Sequence, residues 1–388
     1  MANRWVALAI VFVTRTSMGF QFQSVAAVAP LMVAELQLTW VQLGSLIGLY
    51  LLPGAVFALP GGVLGQRFGD RRMVVVSLAL MVAGGLVTAA AHGFIVAAAG
   101  RLLSGVGAVL MNILLAKMVA DWFAERELST AMGIMLTSWP VGLGIAAATL
   151  GALATHASWR TAIVATALVA ALGLVLIAFA YRDPPRTAAR SAERRVRLTG
   201  RELALATSGG FAWGCFNASL VAIIAFGPGL LIARGASLGD AGFTVSLAIW
   251  LTMLSVPLGG LLSDRLGRPN VMIVAGSLVA ALVTMLLPAI THSLLAFCLV
   301  GLAIGAPPGA LMALLPKAVA SERLATALGV YYTTYYVVMA AVQLAAGGVR
   351  DLFGSPAAPI LLAALVMAAT IVGFAVFRLV ERTAPRTG

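Results

Sequence analysis

The chain reads as long apolar runs separated by short charged or turn-rich breaks. Twelve runs approach or exceed the about 20 residues that a membrane-spanning helix needs. They cover 5–33, 41–63, 73–91, 95–119, 129–153, 161–181, 203–232, 241–262, 270–290, 294–316, 326–348 and 357–377. Each run is continuous and rich in Ala, Leu and Val, so the pattern predicts helices and not the alternating strands of a membrane barrel. Gly and Pro inside the runs fit this reading, because spanning helices use both more freely than soluble ones. Arg4 and the small residues Ala27-Val28-Ala29 imitate a cleavable leader. Arg15 inside the apolar stretch, Pro30 just after it and a repeat partner downstream argue for a retained first helix.

Composition narrows the class. Of 388 residues, 61% are hydrophobic and 10% charged, too much apolar surface for a soluble fold of this size to hide and too little charge for disorder. Cys215 and Cys298 lie in apolar runs and read as small buried hydrophobes; two cysteines make no disulfide framework. The net charge of +12 is an orientation signal. With both termini cytoplasmic, Arg160, Arg234 and Arg350 fall on the far side and Arg15, Arg101 and Lys117 fall within spans; every other Lys and Arg is cytoplasmic, the positive-inside bias of an inner-membrane protein. No basic patch is interleaved with aromatics, so nucleic acid is not an expected partner. His92, His156 and His292 fall in far-side loops.

The chain repeats itself. Gly61-Gly62-Val63-Leu64-Gly65-Gln66-Arg67-Phe68-Gly69-Asp70-Arg71-Arg72 returns 198 residues later as Gly259-Gly260-Leu261-Leu262-Ser263-Asp264-Arg265-Leu266-Gly267-Arg268-Pro269. The same offset pairs Pro30 with Pro228 and Gly44 with Gly242, and an offset of 196 pairs Leu128, Ala131 and Gly133 with Leu324, Ala327 and Gly329. The expected organisation is a six-helix bundle over 1–181, a polar Arg- and Pro-rich cytoplasmic linker over 182–202, and a second six-helix bundle over 203–388. A duplicated six-helix unit points to a transporter.

These residues resemble the major facilitator superfamily over essentially the whole chain. The second loop copy fits the family's G-x-L-x-D-R-x-G-R-R/K motif at Gly260, Leu262, Asp264, Arg265, Gly267 and Arg268. The first copy departs from it, with Gln66 in place of the acid and Asp70 after Gly69. The resemblance implies an all-α fold of twelve spanning helices in two pseudo-symmetric bundles, alternating access, and a gating role for Arg67, Asp70, Asp264, Arg265 and Arg268. Arg101 with Gly105 and Gly107 resembles the family's R-x-x-x-G-x-G motif, which adds Arg101 to the gating set. Trp139-Pro140-Val141-Gly142 only partly resembles the antiporter motif of drug exporters, and Asn112–Lys117 resembles the cyanate and nitroimidazole porter branch.

Candidate contacts with the cargo come from polar and aromatic residues within the spans. Arg15 lies about 15 Å into the first helix at 1.5 Å per residue, and stepping by four gives Gly19 and Gln23 on the same side. An intramembrane arginine is a functional candidate by default, and backbone carbonyls are its structural alternative. The second half offers Trp213, Asn217 and Ser219, then Trp250, and the run Tyr331-Tyr332-Thr333-Thr334-Tyr335-Tyr336, with Trp139 at the repeat position of Tyr335. The expected substrate-binding set is Arg15, Gln23, Trp139, Asn217, Trp250, Tyr331 and Tyr335. None of the 13 Asp and Glu falls in mid-span, which disfavours proton coupling through a buried acid and cationic cargo. No HExxH, CxxC or phosphate loop is present, so no enzyme, metal site or cofactor is expected. The expectation is a monomeric secondary active or facilitative transporter of a small anionic or polar organic solute. A proton-driven multidrug exporter is the alternative, and a non-transporting receptor or scaffold the alternative of another class.

Overall fold

In the computed structural model, residues 3–57, 61–123, 127–183 and 197–382 are described, and among them every regular element is a helix. Twelve helices are long and apolar enough to cross a membrane. They are α1 (Arg4–Ala27), α2 (Trp40–Phe57), α3 (Asp70–Ala89), α4 (Phe94–Trp122), α5 (Thr130–His156) and α6 (Trp159–Ala180), then α7 (Gly200–Ala233), α8 (Leu238–Leu266), α9 (Pro269–Leu286), α10 (Ser293–Ala318), α11 (Glu322–Phe353) and α12 (Ala358–Arg382). On α6, Leu168, Leu172, Val175 and Phe179 form one exposed apolar line, the surface that lipid requires and water would penalise.

Where helices depart from the runs, proline accounts for most of it. The first run extends to residue 33, but the helix breaks at Val28 and resumes as Ala29–Leu36 with Pro30 in its first turn. Pro30 has no N–H to give the carbonyl of Ala26. The second run is interrupted at Leu52, before Pro53. In α10 the helix pauses ahead of Pro307-Pro308. The end of α6 widens into a π-helix over Leu176–Ala180. There Arg71 donates to the carbonyls of Ile177 (3.2 Å) and Ala178 (2.6 Å), satisfying acceptors that a helix end leaves open.

The chain divides into two compact units, Met1–Glu193 with Ala236–Ser246, and Arg194–Gly235 with Leu247–Gly388. Most of the arginine-rich 182–202 segment, residues 184–196, lies outside the described residues. Within each unit the repeat is visible as matched contacts. In the first, a Cβ on Gly142 of α5 would overlap the Thr16 carbonyl of α1. In the second, a Cβ on Gly214 of α7 would sit 2.8 Å from Val338 Cβ of α11. Thr16 and Gly214 are 198 residues apart, and Gly142 and Val338 are 196 apart, so one helix crossing is built twice with the glycine on opposite partners. Small residues at such crossings let backbones approach, which is how helices associate where lipid removes the hydrophobic incentive.

The charged ends of the same helix pairs are matched too. Arg4 bonds Glu127 at 2.7 Å in the first unit, and Arg323 bonds Glu202 at 3.1 Å in the second. Glu202 stands 198 residues after Arg4, and Arg323 stands 196 after Glu127, so the ion pair recurs with its charges exchanged. In the first unit the guanidinium of Arg4 also lies 5.5 Å from the centre of the Phe123 ring. In the second, Glu202 closes the α7 capping box with Thr199.

Candidate functional site

The first unit holds two buried arginines in its spans. Arg15, on α1, donates from Nε to Asn112 Oδ1 of α4 (2.8 Å), and from Nη1 to the carbonyls of Met135 (3.1 Å) and Leu136 (3.3 Å) and to Ser138 Oγ (3.0 Å) of α5. It ties three helices together through neutral acceptors, each a charge-assisted bond of the stronger kind. One turn on, Gly19 seats α1 against α5, where a Cβ would meet the Trp139 carbonyl and lie 3.1 Å from Leu143 N. Gln23, two turns from Arg15, is buried, and its Nε2 has no hydrogen-bond partner among the described residues. Trp139 is half-buried, its ring 5.3 Å from that of Phe22.

Arg101 of α4 is 1% exposed. Its fork donates to Leu46 O (3.0 Å) of α2 and to Gln21 O (3.0 Å) and Phe22 O (3.2 Å) of α1. The guanidinium stands 4.4 Å from the centre of the Tyr50 ring, within cation–π range. Tyr50 in turn donates to Met18 O at 3.2 Å. The arginine therefore sits in the packed interior of the first unit, in a cradle of carbonyls and a ring. No carboxylate pairs with it among the described residues. Gln21 belongs to the same cluster and reaches α3 through Met81 O (2.9 Å). Sequence periodicity singled out Gln23 on the Arg15 side and missed Gln21, whose role depends on how α1 is rotated.

The two loop copies differ in the state of their charges. In the first, Asp70 forms an ion pair with Lys117 of α4, and a Cβ on Gly65 would clash with the Asp70 carboxylate and Leu114. Asp70 Oδ1 is otherwise unpartnered and buried. Arg67 is exposed, with its guanidinium 5.4 Å from the Phe68 ring centre. Lys117 was legible only as an interfacial lysine near Asp121; the fold selects Asp70 for it, 47 residues away. In the second copy Asp264, Arg265 and Arg268 are all exposed. Asp264 shares with Lys317 of α10 a cavity of about 400 Å³ floored by small residues, among them Gly260, Gly309 and Ala313.

The second unit brings together aromatic residues of α7 and α11. Trp213 stacks on Phe216 (5.6 Å, 10° between planes) and on Tyr335 (6.4 Å, 23°). Tyr335 meets Tyr332 (6.0 Å) and Tyr336 (4.9 Å) edge-on. Tyr331 lies deeper. It is 2% exposed, packs where Gly209 of α7 leaves room for its ring, and its hydroxyl is buried without a partner among the described residues. Asn217 is half-buried and donates to the Trp213 carbonyl at 2.9 Å. Trp250 on α8 is half-buried, outside this ring cluster. Trp213 and Tyr332 were not in the expected binding set, although the i, i+4 spacing of Tyr332 and Tyr336 and the 198-residue step from Arg15 to Trp213 were both readable.

The comparisons with known proteins agree with this architecture. A family model described as Major Facilitator Superfamily matches residues 11–232 and 203–388. The 3-(3-hydroxy-phenyl)propionate transporter of Escherichia coli (strain K12) is 29% identical over 307 residues, 76% of this chain and 73% of that protein. The hexuronate transporter of Bacillus subtilis (strain 168) is 24% identical over 249 residues, 61% of this chain and 58% of that protein. Among solved structures, the inward open conformation of the xylose transporter XylE from E. coli superposes with a TM-score of 0.79 at 13% identity, covering 96% of each chain. With twelve apolar helices, a duplicated loop and a family match running almost from end to end, the chain is a multi-pass membrane transporter and belongs to the Major Facilitator Superfamily.

Proposed function

We propose that the protein carries a small organic anion, with polar organic solutes as the wider class, by alternating access in the inner membrane. The observation that carries this reading is the sign of the buried charge. The buried charged side chains among the described residues are Arg15, Arg101 and Glu202. Glu202 stands in the first turn of α7 and is matched by Arg323, so the charge held deep in the spans is positive. Fixed positive charge in a low-dielectric setting favours an anion over a cation. The two curated relatives described above are named for carboxylates, which supports the same class.

In this reading Arg15 and Gln23 of the first unit, with Trp139, and Asn217, Trp250, Tyr331 and Tyr335 of the second serve the cargo. Arg67, the Asp70–Lys117 pair, Arg101, and Asp264, Arg265 and Arg268 serve the gate. Two six-helix bundles joined by the 182–202 linker move as the working parts, with both termini in the cytoplasm by the charge bias. The protein works as a monomer and takes no nucleic acid.

The test is counterflow uptake into proteoliposomes with carboxylates, neutral metabolites and cationic dyes, with and without a pH gradient. Saturable carboxylate counterflow is expected. Gradient-dependent uptake of cationic dyes, with none of carboxylates, would overturn the reading in favour of a multidrug exporter.

A further inference from the structure

We infer that the partly buried aromatic face of the second unit, formed by Trp213, Tyr332 and Tyr335, is a ring-binding subsite that selects organic anions bearing an aryl group. The inference rests on the organic-anion reading and adds the part of the cargo opposite its charge.

The aromatic cluster has two layers. Phe216 and Tyr336 are buried and fill the packing between helices, and Tyr331 is buried beside them with its hydroxyl unpartnered among the described residues. Trp213, Tyr332 and Tyr335 pack against them and are only partly buried. Simple packing would account for the first layer only.

The polar atoms of the outer layer point the same way. The Trp213 indole N–H and the Tyr332 and Tyr335 hydroxyls bond to no described residue, and none is among the sealed, unpartnered atoms; among the described residues the tyrosine hydroxyl so sealed is that of Tyr331. Three open donors beside ring faces would be costly against hydrocarbon, where each unsatisfied group forfeits its hydrogen bond. They suit a wet or ligand-filled cavity. α11 has the matching character: even its most apolar stretch has a mean hydropathy of only 1.3, the lowest among the twelve spans, shared with α1. The half-exposed Thr333 and Thr334 on the same turn continue the polar surface.

The arrangement of the rings supports the same assignment. Trp213 and Tyr335 present near-parallel planes, and Tyr332 stands edge-on to Tyr335 at 86°. A flat aryl group laid on this corner gains one stacked and one edge-to-face contact, the two arrangements that aromatic quadrupoles prefer. The repeat adds an asymmetry. The position of Trp213 in the second unit is that of Arg15 in the first, 198 residues earlier. Equivalent places thus carry a ring in one unit and a cation in the other.

The experiment compares 3-phenylpropionate with 3-cyclohexylpropionate as competitors of carboxylate counterflow in proteoliposomes. The two acids share chain length and charge and differ in the π face. Each ring contact is worth about 2- to 12-fold, so the phenyl acid is expected to compete at least about fivefold better. Tyr335→Leu and Trp213→Leu should each bring the ratio towards one, the phenyl acid losing more than the cyclohexyl acid, and Tyr335→Phe should keep it. A wild-type ratio near one, or a ratio unchanged in both leucine variants, overturns the inference while leaving the organic-anion reading standing. Absence of any carboxylate counterflow overturns both. The wild-type ratio needs no variant, so a misfolded substitution does not remove the test.

Discussion

Gly142 offers a quantitative check on the helix crossing that seats Arg15. A Cβ there would overlap the Thr16 carbonyl oxygen, lie 2.8 Å from Phe20 N and 3.2 Å from the Gly19 carbonyl carbon. All three atoms are backbone, so no rotamer change relieves the contact. Gly142→Ala must push α1 and α5 apart by roughly 1 Å, an overpacking cost of about 1–3 kcal/mol. The same shift lengthens the bonds from Arg15 to Met135, Leu136 and Ser138, which span that interface. Alanine also brings a gain in helix propensity of up to about 1 kcal/mol, and Gly133 isolates it. Gly133 lies on the same helix, and a Cβ there meets nothing within 4 Å. The propensity gain cancels in the difference between Gly142→Ala and Gly133→Ala, leaving about 1–3 kcal/mol for the contact. Reversible unfolding in mixed micelles titrated with SDS, followed by tryptophan fluorescence, measures both. If the two variants agree to within about 0.5 kcal/mol, a typical scatter for substitutions without a special mechanism, the close crossing is wrong, and with it the placement of Arg15.

Other elements yield shorter tests. Arg101→Lys should destabilise more than Arg101→Met, by about 2–4 kcal/mol against wild type, because lysine keeps the buried charge but cannot span three carbonyls; the reverse order in the same titration would sink the cradle. A double-mutant cycle on Arg4 and Glu127, which are 24% and 43% exposed, should give a coupling of about 0.2–1 kcal/mol that weakens with salt. The Arg323–Glu202 pair should couple more strongly, since Glu202 is only 10% exposed, and equal couplings would contradict the burial difference. Outside the spans, the hydrogen bond from Arg160, then that from Trp159, holds the Glu35 carboxyl below the usual range. Because its folded pKa is depressed, this contribution is complete above the ordinary carboxylate value and is lost as pH falls through the lowered one. Hydrogen exchange of the Trp159 indole should accelerate over that acidic window in the wild type, whereas Glu35→Gln should show no such step.

The sequence alone determined the class of molecule. Twelve apolar runs, the skewed arginines and a loop motif recurring after 198 residues are properties of residues taken one at a time or compared along the chain. Hydropathy and positive-inside bias act locally, so they survive without knowledge of any contact. Prolines placed the interruptions at Val28 and Leu52, although the apolar pattern ran straight through Val28. Partners were a different matter. In the sequence Arg15 reads as facing a cavity, with carbonyls as the alternative, and only the rotation of α1 brings it to Asn112 and Ser138, which lie 97 and 123 residues away. The same rotation sends Gln21 towards Arg101 and Tyr50 and leaves the Gln23 amide nitrogen unpaired. Lys117 reaches Asp70 in place of its near neighbour Asp121 because α3 and α4 pack side by side. Four clustered tyrosines were plain in the chain, but which were buried and which stayed open was set by the packing of α11 on α7. An apolar helix carries little amphipathic signal to fix its own rotation, since lipid and protein interior are alike apolar. Its angle about its axis is therefore decided by small-residue crossings and a few polar bonds, which exist only once the helices have met.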